Sequence, residues 1–125
     1  MRYSVYREAF FSAAHHLRNY NGKCENIHGH NWRVRVYASS DSLDKDGFVL
    51  DFKVMDKIIN NVIERLDHMD INCITPFDVK NPTAENIAEH IFNESQKEVK
   101  KIRENLYISG VHVWESDKSC AIVEP

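Results

Sequence analysis

The chain predicts an α+β fold, one antiparallel four-stranded sheet with two helices on one face in the order ββααββ. Two observations carry this. Strand-like segments rich in aromatic and β-branched residues occupy both ends of the chain, at Tyr3 to Ala13, His28 to Ser39, Leu106 to Trp114 and Cys120 to Val123. Between the two pairs run two stretches whose apolar residues recur at i, i+3 and i+4, from about Lys53 to Leu66 and from Thr83 to about Arg103.

In chain order, the first strand rests on Tyr3, Val5, Phe10 and Phe11, and His15 falls at or just past its end. Asn19, Asn21 and Gly22 then mark a turn that delivers Cys24 from a loop. Asn31 to Tyr37 alternates polar and apolar residues and forms the body of the second strand, which closes at Ser39-Ser40-Asp41-Ser42. In the first helix Val54, Met55, Ile58, Ile59, Val62, Ile63 and Leu66 form the core stripe, and Leu66-Asp67-His68 closes it. Thr83, after Asn81-Pro82, is the expected N-cap of the second helix, whose apolar face is Ile87, Ala88, Ile91, Phe92, Val99 and Ile102. The segment Glu115 to Ser119 turns the last hairpin.

With 125 residues, 42% hydrophobic and 28% charged, the expectation is a single domain spanning 1–125. A net charge of −3 argues against a nucleic-acid or membrane surface, which needs a basic excess. Charges in Met1 to Glu8 stand where a signal peptide would need an apolar run, and no stretch is long enough to span a bilayer. Cys24, Cys73 and Cys120 are too few and too odd in number for a disulfide framework, which points to the cytoplasm; Cys73 and Cys120 are read as structural.

The chemistry concentrates in Cys24-Glu25-Asn26-Ile27-His28-Gly29-His30. Two histidines at i and i+2 project from one face of a strand, so both rings can meet one ion, and Gly29 removes a side chain that would crowd them. With His15 as third ligand and one position open, the set reads as a catalytic zinc site. The competing reading of His28 and His30 alone is two ordinary half-buried histidines, and the third histidine and the nearby Cys24 weigh against it. Cys24 is either a thiol activated by a nearby cation or an inert small residue. Asp67 beside His68 can form a proton relay, or simply end a helix in solvent. Glu115 can accept two parallel hydrogen bonds from a planar donor pair such as a guanidinium or an aminopyrimidinone, or be an exposed turn residue. Thr83 offers a hydroxyl at a helix N-terminus for polar ligand atoms.

Phe11-Ser12-Ala13-Ala14-His15, Cys24-x-x-x-His28-Gly29-His30, Leu66-Asp67-His68, Asn81-Pro82-Thr83-Ala84-Glu85 and Glu115 occur in the order seen in the 6-pyruvoyl-tetrahydropterin and 6-carboxy-tetrahydropterin synthases, and the chain resembles that family over nearly its whole length. The resemblance implies the tunnelling fold, in which trimers close their sheets into a barrel and two trimers stack into a hexamer. It also implies His15, His28 and His30 as Zn2+ ligands, Cys24 as catalytic base with Asp67 and His68 as its relay, and Glu115 as anchor of the pterin. The implied substrate is 7,8-dihydroneopterin triphosphate, bound between subunits. The short chain is more similar to the members making a carboxy product for deazapurine and queuosine synthesis than to those making a pyruvoyl product. Glu25, directly after Cys24, is shared with members linked to side-chain cleavage giving 6-hydroxymethyl-dihydropterin, where it would act as a second base; otherwise it is a solvated loop residue. The reading from another class is a pterin-binding oligomer without turnover, against which the Cys24, Asp67 and His68 set argues.

Overall fold

The computed structural model describes the whole chain except Asn21, Lys23 and Cys24. Four strands, β1 (Tyr3–His15), β2 (His28–Ser40), β3 (Tyr107–Ser116) and β4 (Ser119–Val123), form one antiparallel sheet in the order β1-β2-β3-β4. Helices α1 (Phe52–Ile63) and α2 (Ala84–Lys100) lie between β2 and β3 in sequence, with a short 3-10 turn at Ile71–Cys73. The predicted ββααββ order is what the chain adopts.

Alternation decides which face is covered. Phe11, Ala13 and His15 of β1, Trp32, Val34, Val36 and Ala38 of β2, and Val111 and Val113 of β3 are buried, together with Met55, Ile59, Val62 and Ile63 of α1 and Ile87, Ala88 and Ile91 of α2. The opposite face is polar and aromatic. There the Glu8 carboxylate accepts from both Arg33 and Arg35, whose guanidinium groups lie over the rings of Trp114 and Tyr6. Tyr6 and Phe10 on that face stand exposed.

Register brings the strand ends together. β1 and β2 pair without a break from Tyr3↔Ser40 to His15↔His28, so the last residue of one strand faces the first of the other. β3 pairs with β2 through Arg33↔Trp114, which carries its C-terminal end to the same edge of the covered face.

Several boundaries differ from those predicted. Helix α1 stops at Ile63, and residues 64–68 are turn. The cause is tertiary: the backbone N–H of His68 donates to the Ser12 carbonyl and Ala14 N–H to the Met69 carbonyl, so β1 captures the chain before another helical turn can form. His68 takes up a left-handed conformation at φ 59 there. Val54 and Ile102 are exposed rather than core, Val54 lying at the rim of the stripe and Ile102 beyond the end of α2. Glu115 lies within β3, not past it. Cys73 and Cys120 are exposed free thiols, which corrects their structural reading.

Candidate metal centre

His15 closes the buried row of β1, His28 and His30 open the corresponding row of β2, and Glu115 follows Val111 and Val113 in β3. One potential ligand atom from each lies within 4.8 Å of all the others. Glu115 reaches the group at a bulge: Trp114 faces Cys120 and Ser116 faces Ser119, so Glu115 is the extra residue, the position at which a bulge re-aims a side chain.

Two of the three rings, those of His15 and His28, are held in one tautomer. His15 Nδ1 lies 2.7 Å from the Pro82 carbonyl oxygen and His28 Nδ1 lies 2.7 Å from that of Asn26. A carbonyl only accepts, so each Nδ1 carries the hydrogen and each Nε2 keeps its lone pair for a ligand. Trp32, fully buried, meets His15 and His30 edge to face at 4.9 and 5.3 Å and donates from Nε1 to the Ala13 carbonyl at 3.2 Å. Burial pushes His15 and His30 below the ordinary imidazole range and outweighs the opposing pull of the Glu115 carboxylate, so both rings are neutral and able to ligate near neutral pH. Their Nε2 atoms are buried and without a hydrogen-bond partner. Orphaned lone pairs converging beside a carboxylate fit a divalent ion favoured by imidazole.

Sequence reasoning missed the support behind His15. Where β1 ends, two asparagine side chains take over as pairing partners. Asn72 Oδ1 accepts from His16 N–H at 2.9 Å and its Nδ2 donates to the His16 carbonyl at 3.1 Å. Asn81 does the same for Arg18, at 2.8 and 3.1 Å. Asn86 Nδ2 donates to the Asn81 carbonyl, and Thr83 caps α2 by accepting from Asn86 N–H, as predicted. The Asn81-Pro82-Thr83 segment therefore fixes both the exit of β1 and the His15 ring.

Among the described residues, Asp67, His68 and Glu25 are not part of this cluster. Asp67 Oδ1 accepts from Ser12 N–H at 2.9 Å and Oδ2 lies 3.0 Å from His68 Nδ1, so the two side chains expected to pair do meet and are anchored to β1. The Ser12 N–H, aided by His68, holds the Asp67 carboxyl below its usual range. The His68 side chain is 81% exposed and is not among the clustered ligands. Glu25 is exposed, and Cys24 lies outside the described residues. Gly29 is not needed for clearance, since an added Cβ would meet only the Ala13 carbonyl at an ordinary 3.9 Å.

Residues 4–125 match the family described as 6-pyruvoyl tetrahydropterin synthase. The chain belongs to that family. Among 6-pyruvoyl tetrahydropterin synthase relatives, the 6-carboxy-5,6,7,8-tetrahydropterin synthase of Synechocystis sp. is 34% identical over 93% of this chain and 86% of its own length. The dihydroneopterin monophosphate aldolase of Pyrococcus furiosus is 32% identical over 91% of this chain and 90% of its own. In fold, the Caenorhabditis elegans 6-pyruvoyl tetrahydropterin synthase superposes with a TM-score of 0.85, covering 100% of this chain and 96% of that one at 24% identity.

Proposed function

We propose that this protein is a zinc-dependent 6-carboxy-5,6,7,8-tetrahydropterin synthase acting on 7,8-dihydroneopterin triphosphate in the cytoplasm. The observation that carries the reading is the convergence of His15, His28 and His30 at one edge of the sheet, with two ring tautomers fixed by backbone carbonyls. The Synechocystis relative's name supports the product. Zinc held by the three histidines would act as a Lewis acid toward hydroxyls of the substrate side chain, easing proton loss from them and from the neighbouring C–H.

The chain's own residues do the rest. Cys24 as thiolate takes the proton, and the Asp67–His68 pair, with Asp67 kept ionised by Ser12, passes it on. Glu115 accepts two N–H groups from the aminopyrimidinone edge, and Thr83, the N-cap of α2, offers its hydroxyl to polar atoms of the substrate. Elimination of triphosphate, followed by hydrolytic cleavage in which one water supplies the carboxyl oxygen and two side-chain carbons leave as acetaldehyde, then gives the carboxy product. The assembly is a trimer or hexamer with shared sites. Two features support it: β1 and β4 are edge strands whose unpaired groups favour closure with further copies, and the His68 ring is exposed and so open to a neighbouring subunit.

A second reading, side-chain cleavage to 6-hydroxymethyl-dihydropterin, is favoured by the Pyrococcus aldolase relative and by Glu25 next to Cys24. Mass analysis of products from 7,8-dihydroneopterin triphosphate with zinc-loaded protein separates the two. Carboxy product supports the first, hydroxymethyl product the second, and absence of triphosphate release leaves a pterin-binding oligomer. Sedimentation tests the assembly: a stable monomer at micromolar concentration refutes shared sites.

A further inference from the structure

The carboxylate that the pterin reading reserves for substrate already occupies the metal cluster. Glu115 Oε1 lies 3.0 Å from His15 Nε2 and 3.3 Å from His30 Nε2. Neither approach has hydrogen-bond geometry, for both nitrogens remain without a partner. The Pro82 carbonyl holds the His15 hydrogen on Nδ1, so Nε2 presents a lone pair to an anionic oxygen. Two electron-rich atoms this close, one of them buried, repel unless a cation lies between them.

The spacing fits that cation. Ligand atoms about 2.0–2.1 Å from a tetrahedral ion lie about 3.3–3.4 Å from one another, close to the two separations seen here. The bulge at Glu115 supplies the placement, since a regular β3–β4 ladder would have no extra residue to turn toward the histidines.

We infer that Glu115 is a fourth protein ligand of the metal in the substrate-free protein, and that it must leave the metal to anchor a substrate. The inference rests on the three-histidine reading of the site and extends it. It makes Glu115 a switching residue: the site is closed at rest, and opens when an aminopyrimidinone edge draws the carboxylate away.

The test uses the whole protein with zinc and cobalt(II) as probes. Chelator competition gives the zinc dissociation constant of wild type, Glu115→Gln and Glu115→Ala, and the visible spectrum of the cobalt(II) forms reports coordination. Loss of a direct ligand should weaken zinc by at least the roughly 10–100-fold lost with an outer-shell partner. It should also change the cobalt spectrum, and acetate should restore that spectrum in Glu115→Ala. Rescue by a free carboxylate separates a ligand from a residue that only supports the fold. Wild type binding one metal per chain, with both variants matching it in affinity and spectrum, overturns the inference and leaves the three-histidine site intact. Wild type binding no metal takes both down.

Discussion

Replacing Asn81 with alanine isolates the support of His15 from the ligands themselves. The side chain makes two hydrogen bonds to the Arg18 backbone, at 2.8 and 3.1 Å, in a partly buried setting. At about 0.5–1.5 kcal/mol each, their loss should destabilise the protein by about 1–3 kcal/mol. Because Asn81 precedes Pro82, whose carbonyl orients His15, the same change should weaken the metal by about 10–100-fold. Denaturant unfolding in excess chelator gives the stability term, since bound metal adds its own stabilisation. Chelator competition gives the affinity term. Thr83→Ala is the matched comparison: losing the cap on α2 should cost about 1 kcal/mol while leaving the Pro82 carbonyl, and so the affinity, in place. If Asn81→Ala loses stability but keeps wild-type metal affinity, the claim that this segment orients His15 is wrong.

His28→Ala or His30→Ala should abolish metal binding and turnover yet leave a folded oligomer, checked by metal analysis and sedimentation. Trp32→Ala should cost about 3–5 kcal/mol in denaturant unfolding, as expected for emptying a fully buried indole site. The metal-free protein should lose stability as pH falls below about 6.5, because the unfolded chain protonates His15 and His30 while the fold keeps them neutral; unfolding followed from pH 7.5 to 5 checks the sign. Cys24→Ala should retain zinc but lose carboxy product by about a hundredfold or more, while Glu25→Ala leaves that product nearly unchanged. The reverse pattern in product analysis moves the protein to the side-chain cleavage branch.

What the sequence made legible was periodic or local. Alternation through His28, His30 and Trp32 placed both rings on one face, the i, i+3, i+4 stripe named Met55 to Leu66 as core, and Thr83 stood out as a cap because its partner is three residues on. Hidden features depend on partners distant in sequence. Asn72 and Asn81 look like ordinary turn residues, yet each brackets a backbone unit more than fifty positions earlier. The end of α1 was misplaced because β1, not a local stop signal, draws residues 64–70 away. The Glu115 bulge leaves no composition signal, and Trp32 reads as one more apolar strand residue until the rings beside it are seen.

The facing of His15 and His28 across the β1–β2 ladder separates two properties that most active sites share. Pairing holds the donor atoms in place from both sides of the hairpin mouth, so residues 19–25 can lengthen, shorten or change composition without altering the donor set, provided the asparagine brackets keep hold of residues 16 and 18 and the Asn26 carbonyl stays on His28 Nδ1. A slip of one residue in that ladder, by contrast, would send His28 and His30 to the far face of the sheet and erase the site. Under the proposed function, insertions in the segment carrying Cys24 and Glu25 are therefore a route to new reaction outcomes around an unchanged donor set, and library design aimed at product choice belongs there.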